Sequence, residues 1–183
     1  MPDLANESSN KAPTPASAPP FDINTMSVLD RRRIEAMVLG PMLHAFQKEF
    51  GMEQTNATAR RVITEIAREQ GRAFAERTGK KDLQSFSANK EPWRRNGALE
   101  ITVLEETAET YSFNVTRCRY AEMYRQLGMG DLGDIFSCTR DFEFIRGFNP
   151  DVKLTRTQTI MKGAPHCDFR YELRHKELRR KTS

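Results

Sequence analysis

"ALEITVLEETAETYSFNVTRC", residues 98–118, decides the fold class, because here the spacing of apolar side chains changes from helical to alternating. Leu99, Ile101 and Val103 share one parity. Tyr111, Phe113 and Val115 share another, which places Ser112, Asn114, Thr116 and Cys118 on the opposite, polar face. The short polar link between the two runs predicts a β-hairpin.

Upstream the period is close to 3.6. From Ile34 onward, apolar residues at Met37, Val38, Met42, Ala45, Phe46 and Phe50 trace an amphipathic helix that Asp30 would cap. Gly40-Pro41 interrupts it, so the segment is either one kinked helix or two short ones meeting at Pro41. A second stripe runs through Ala59, Val62, Ile63, Ile66, Ala67, Ala73 and Phe74 and stops near Gly79, a residue suited to a helix C-terminus. These helices should pack as an antiparallel pair, followed by a short helix over 82–89.

Downstream, residues 119–147 return to helical spacing, broken by Gly128, Gly130 and Gly133. "DVKLTRTQTIM" (151–161) and "CDFRYELR" (167–174) then read as two strands joined by the turn "KGAPH". The expected architecture is α+β: N-terminal helices packed on a four-stranded, mainly antiparallel sheet, with a short helical insertion between strands two and three.

The chain has 183 residues, enough for one domain with a substantial core. Residues 1–20 are Pro, Ala, Ser and Asn with almost no large apolar side chain, and read as a disordered tail. A single domain is expected over 21–175. The net charge of +4 resides in the last ten residues, where five Lys or Arg accompany one Glu; the rest carries 24 basic and 24 acidic residues. That basic tail, 176–183, reads as a solvated terminus, so no nucleic-acid partner is expected. No secretory signal and no run of roughly 18 apolar residues stands out, which predicts a cytoplasmic protein with no membrane partner. The odd cysteine count fits a reducing compartment and free thiols.

The thiols are the candidate chemistry. Cys118 ends a strand on its polar face, and Glu122 would turn back toward it from a helix starting near Arg119. Cys138 and Asp141 are three apart, so one helical turn would set a thiol beside a carboxylate. A carboxylate raises a thiol pKa, so Asp141 suits a proton acceptor or a substrate orienter better than a thiolate stabiliser. Arg117, Arg119 and Arg140 would supply positive charge. Cys167 shares parity with Phe169 and Tyr171, as a core residue would, and His166 precedes it as a candidate base. Separations of 20 and 29 residues between the cysteines give no zinc clamp, and no metal or cofactor is expected.

The stretch from Asn114 to Tyr171 also carries an ordered set of short motifs: TRC ending at Cys118, Leu127-Gly128, the CxxD of Cys138 and Asp141, Phe148-Asn149-Pro150, and Gly163 with Cys167 followed by Asp168-Phe169. In this set the chain resembles the L-2-amino-thiazoline-4-carboxylic acid hydrolase family. The resemblance groups Cys167 with the other thiols and implies hydrolysis of a cyclic amidine-like C=N bond, the named substrate opening to an N-carbamoyl cysteine. On that basis Cys118 would attack the ring carbon, Asp141 or His166 would move protons, and Asn114 would hold developing charge. Arg117, Arg140 or Arg156 would bind an acidic substrate group. A noncatalytic small-molecule or redox-sensing pocket is the rival expectation, and a homo-oligomer through the apolar helices is a further one.

Overall fold

The computed structural model describes residues 25–174. Both expected tails, 1–20 and 176–183, lie outside the described residues. Helix α1 runs Val28–Phe50 as one helix with Pro41 inside it, and α2 runs Met52–Thr78, the two joined at Gly51. The cap of α1 is Ser27, whose hydroxyl accepts from the Asp30 amide, so Asp30 sits in the first turn instead of at the cap. Gly79 ends α2 in the left-handed conformation and its amide donates to the Ala75 carbonyl. Short helices α3 (Leu83–Ala88) and α4 (Glu91–Arg94) lead to strands β1 (Leu99–Glu106) and β2 (Thr110–Cys118). Then come α5 (Arg119–Gln126), a π-helical turn at Asp134–Cys138, α6 (Arg140–Phe148), and strands β3 (Val152–Thr155) and β4 (Cys167–Leu173). The fold is α+β, with a four-stranded antiparallel sheet in the order β1-β2-β4-β3.

Three local readings change. The apolar row of α1 faces outward: Met37, Val38 and Phe50 are 58%, 60% and 61% exposed, while Val28, Leu29, Arg32, Ala36 and Gly40 are buried. The helix turns its small residues inward because a neighbour comes very close. A Cβ on Gly40 would stand 2.3 Å from the Met129 sulfur. The third strand is shorter than its sequence suggests, ending at Thr155. Beyond it the Asp168 carboxylate accepts from the Thr157 and Gln158 amides and the Thr157 hydroxyl, which bends the chain off the sheet. Finally, β2 contains a bulge: Arg117 pairs with Glu100 and Val115 with Ile101, leaving Thr116 unpaired. The extra residue reverses the alternation, so Cys118 packs with the apolar side chains of the sheet and not with Asn114 and Thr116.

Two apolar clusters result. One joins α2, α3 and α6 to the inner face of β2, β3 and β4; the other joins α1 to α5 and the π turn. Trp93, Leu99 and Cys118 pack against both. The two are bound through α2 and α6, whose backbones almost touch: a Cβ on Gly71 would lie 2.1 Å from the Phe144 carbonyl oxygen, and one on Gly147 would lie 2.0 Å from that of Arg68. Arg68 clamps the crossing by donating from Nε to Glu143 at 2.8 Å, and Arg60 reaches Asp134 and Thr139, each at 2.7 Å.

Since both obstructing atoms are rigid backbone, Gly147→Ala should cost at least about 2 kcal/mol of stability, toward the upper end of overpacking penalties. Thermal denaturation checks this, and an unchanged Tm would show that the helices can move apart without cost.

Candidate functional site

The seam between the two clusters opens into a cavity of about 660 Å³. Its walls are largely aromatic, with Phe74, Phe86, Trp93, Phe113, Phe169 and Tyr171 among them. Exposed lining residues Gln70, Ala73, Arg77 and Arg94 mark its mouth.

Each chemically active wall residue arrives by a different route. The bulge delivers Cys118 from the end of β2, where it also forms the N-cap of α5. The π turn delivers Ser137 and Cys138, and the first turn of α6 delivers Arg140 and Asp141. Cys167 comes from the start of β4, paired with Val115 of β2, and the Ile160 amide donates to its sulfur at 3.2 Å. Arg156 comes from the bent segment after β3. It forms a short ion pair with Asp141, donates to the Cys138 carbonyl at 2.9 Å, and lies over the rings of Phe142 and Phe169.

Thus Cys118, Cys138, Cys167, Asp141, Arg140 and Arg156 line one cavity. Five other expected residues do not, among them Arg119, whose guanidinium donates to the Asn96 carbonyl at 2.8 Å. Arg117 and Glu122 pair with each other at 2.8 Å on the surface, because the two-residue exposed step at the bulge turns Arg117 out. Asn114 stays on the far face of β2, accepting from Arg170 at 2.9 Å. His166 precedes β4 with the parity opposite to Cys167 and bonds the Gln158 side chain at 2.9 Å. None of the five is among the lining residues.

Sequence reading also missed two cations. Arg32 belongs to the buried row Val28, Arg32, Ala36, Gly40, whose four-residue spacing was a usable signal. It pairs with Glu35 at 2.6 Å, and Glu35 in turn holds Arg140 at 3.2 Å. Lys90, between two short helices, left no signal in sequence. Its Nζ is shut from water and has no hydrogen-bond partner among the described residues.

Burial dominates the electrostatics. It pushes the Cys118 thiol up to about 11, outweighing the Ala121 and Tyr120 amides at the start of α5. Burial and the neighbouring Asp141 charge drive Cys138 further up, and Cys167 is raised as well. The Asp141 carboxyl is raised by burial against the pull of Arg156. The site therefore combines protonated thiols with a carboxyl of strengthened basicity. Among the described residues, no three His, Cys, Asp or Glu side chains form a group able to hold a metal ion.

Among solved structures, the phenol-responsive sensory domain of the transcription activator PoxR with phenol is similar at 13% identity and a TM-score of 0.49, over 74% of this chain and 72% of that one. A trafficking protein particle complex subunit 3 from Naegleria fowleri, covalently bound to palmitic acid, is similar at 10% identity and a TM-score of 0.49, over 80% of this chain and 96% of that one. No curated protein matches. Among the described residues no helix is long and apolar enough to cross a membrane. The pattern of the L-2-amino-thiazoline-4-carboxylic acid hydrolase family matches residues 31–171, and the chain belongs to that family.

Proposed function

We propose that this protein is a hydrolase that opens a small, carboxylate-bearing heterocycle at a C–N or C=N carbon, of the cyclic amidine or thiazoline kind. The observation that carries the reading is the make-up of one cavity wall: aromatic faces that suit a ring, a single carboxyl in Asp141, and an excess of cations. Among the described residues no carboxylate lies within ion-pair distance of Arg31, Arg77 or Arg94. An anionic substrate group would supply the missing partner through charge-assisted hydrogen bonds.

In this reaction the Cys118 sulfur bonds to the ring carbon while its proton passes to Asp141, and the C=N electron pair moves to nitrogen, which takes a proton. That adduct collapses by breaking the ring bond between the same carbon and its second heteroatom, which leaves with a proton as the C=N bond reforms on the Cys118-bound carbon; water then adds to this carbon, the Cys118 sulfur leaves as the thiol, and the carbonyl of the opened product forms. A thiol held protonated needs such a base, and the raised basicity of Asp141 brings it nearer to the working pH. Arg156 keeps the carboxylate aimed by holding both Asp141 and the Cys138 carbonyl. The family name supports a thiazoline carboxylate as the first compound to try. One observation favours a noncatalytic ligand- or redox-sensing pocket instead: burial keeps all three thiols protonated.

Incubation with L-2-amino-thiazoline-4-carboxylate and a panel of cyclic amidines should give a product heavier by one water in mass spectrometry. Cys118→Ala should abolish turnover, and Asp141→Asn should slow it roughly 10²- to 10⁴-fold. Ordinary activity in folded Cys118→Ala would move the attack to a water activated by Asp141. A ligand-raised Tm without product would establish the sensor.

The base must be ionised to accept a proton, so activity should fall as pH drops through a midpoint higher than that of an ordinary aspartate. Arg156→Met removes the cation that favours the carboxylate, and should move that acid limb to higher pH. In the alkaline direction, native alkylation of Cys118 should rise toward a midpoint near 11.

A second copy of the chain is the occupant we assign to the exposed face of α1 and α2, where Val62 and Ile66 extend the row of Met37, Val38, Met42, Phe46 and Phe50. With α1 about 34 Å long and two helices about 20 Å wide, the strip covers roughly 700 Å², close to the ~800 Å² each partner buries in an ordinary stable interface. Sedimentation should show a dimer that Val38→Glu splits; a wild-type monomer at tens of micromolar would reject it.

A further inference from the structure

We infer that the substrate of this cavity carries an aryl or alkyl substituent on its reacting ring carbon, so that the preferred compounds are 2-aryl and 2-alkyl thiazoline carboxylates and not the 2-amino compound of the family name. The inference rests on the hydrolase reading and names the substrate class for it. The amino-thiazoline carboxylate has about nine non-hydrogen atoms, while cavities of roughly 300–1,000 Å³ enclose drug-sized ligands. At about 660 Å³ this cavity has room for a body well beyond so small a ring. The extra room can be laid out along the sheet. Cys167, Phe169 and Tyr171 are alternate residues of β4 that all line the cavity, and at about 3.4 Å per residue they span roughly 13 Å of wall. Val115 and Phe113 of β2 lie opposite the first two, and Cys118 extends the thiol end past Val115.

The two ends differ in chemistry. At the thiol end Cys118 and Cys138 are half-buried, and Asp141, though enclosed by protein, keeps 34% of its side-chain surface accessible, so a ligand in the cavity can touch all three. At the other end Phe86 and Tyr171 stand 5.1 Å apart, and between the ends Phe113 and Phe169 stack at 4.9 Å. These ring faces and edges reward the burial of aromatic or alkyl surface. A single amino group on the reacting carbon leaves them uncovered, whereas an aryl group covers them. The rim supplies the counter-charge for the substrate carboxylate. Arg77 and Arg94 are exposed at the mouth, Arg77 lies over the Phe74 ring at 5.1 Å, and the Nε of Arg31 has no hydrogen-bond partner among the described residues. The Arg31 and Arg77 charges act against each other, so an anion between them relieves repulsion and gains charge-assisted hydrogen bonds. On 2-phenylthiazoline-4-carboxylate the reaction is unchanged. Cys118 adds to the ring carbon, the ring C–S bond breaks with a proton going to the leaving sulfur, and water displaces Cys118 to give N-benzoylcysteine.

The test separates binding from turnover. Thiazole-4-carboxylates, whose aromatic ring resists opening, are titrated into the full chain by calorimetry with 2-amino, 2-methyl, 2-propyl and 2-phenyl groups. Kd should fall about fourfold for each buried methylene, and the 2-phenyl compound should bind at least about tenfold more tightly than the 2-amino one. Arg77→Gln combined with Arg94→Gln, both at exposed positions, should weaken the 2-phenyl acid roughly tenfold or more while barely changing the binding of its primary amide. With the corresponding thiazolines, kcat/KM for the 2-phenyl compound should exceed that for the 2-amino compound at least about tenfold, read as N-benzoylcysteine by mass spectrometry. A flat affinity series, or tighter binding of the 2-amino compound, would overturn the inference, and the hydrolase reading would stand if that compound were still opened. Graded, tight binding of the thiazoles without opening of any thiazoline would uphold the ligand class and remove the hydrolase reading instead.

Discussion

The site depends on the near-contact of two helix backbones. Glycine in a helix interior costs about 1 kcal/mol relative to alanine, yet α2 carries Gly71 and α6 carries Gly147 where the two cross. Their missing side chains let each backbone rest on the other, a separation no larger residue permits. This closeness sets where α6 begins, and its first turn carries Arg140 and Asp141 to the cavity wall. Arg68 with Glu143, and Arg60 with Asp134 and Thr139, then hold the crossing in register. Moving α6 outward by the width of a methyl group would withdraw the carboxyl from the thiols.

In the buried part of that wall the charged groups are paired. Arg156 neutralises Asp141, and Glu35 is shared between Arg32 and Arg140. Groups without such partners are driven toward their neutral forms: the three thiols toward S–H, Lys90 toward the free amine. The wall therefore presents three thiols and an amine that are uncharged at rest.

Local irregularities do most of the placing. One unpaired residue, Thr116, reverses the parity of β2 and swings Cys118 from the solvent face to the cavity. A π-helical turn sets Cys138 on the wall just ahead of α6. The Asp168 carboxylate, by capturing two amides beyond β3, shortens that strand and turns Arg156 inward. Each departure from regular geometry brings one side chain to the wall of the same cavity.

The α+β class, the hairpin at 99–118, the helical insertion after it and the candidacy of Cys118, Cys138 and Asp141 were all legible in the amino-acid order. Periodicity and short spacing are local properties, and local properties survive in a linear string. The convergence of Cys118, Cys167 and Arg156, the exile of Arg117, Asn114, Glu122 and His166, and the caging of Lys90 were decided by tertiary structure. A single bulge inverts the parity of the residues that follow it in β2, and four rings from three separate elements meet at Lys90 only once the sheet and helices have closed.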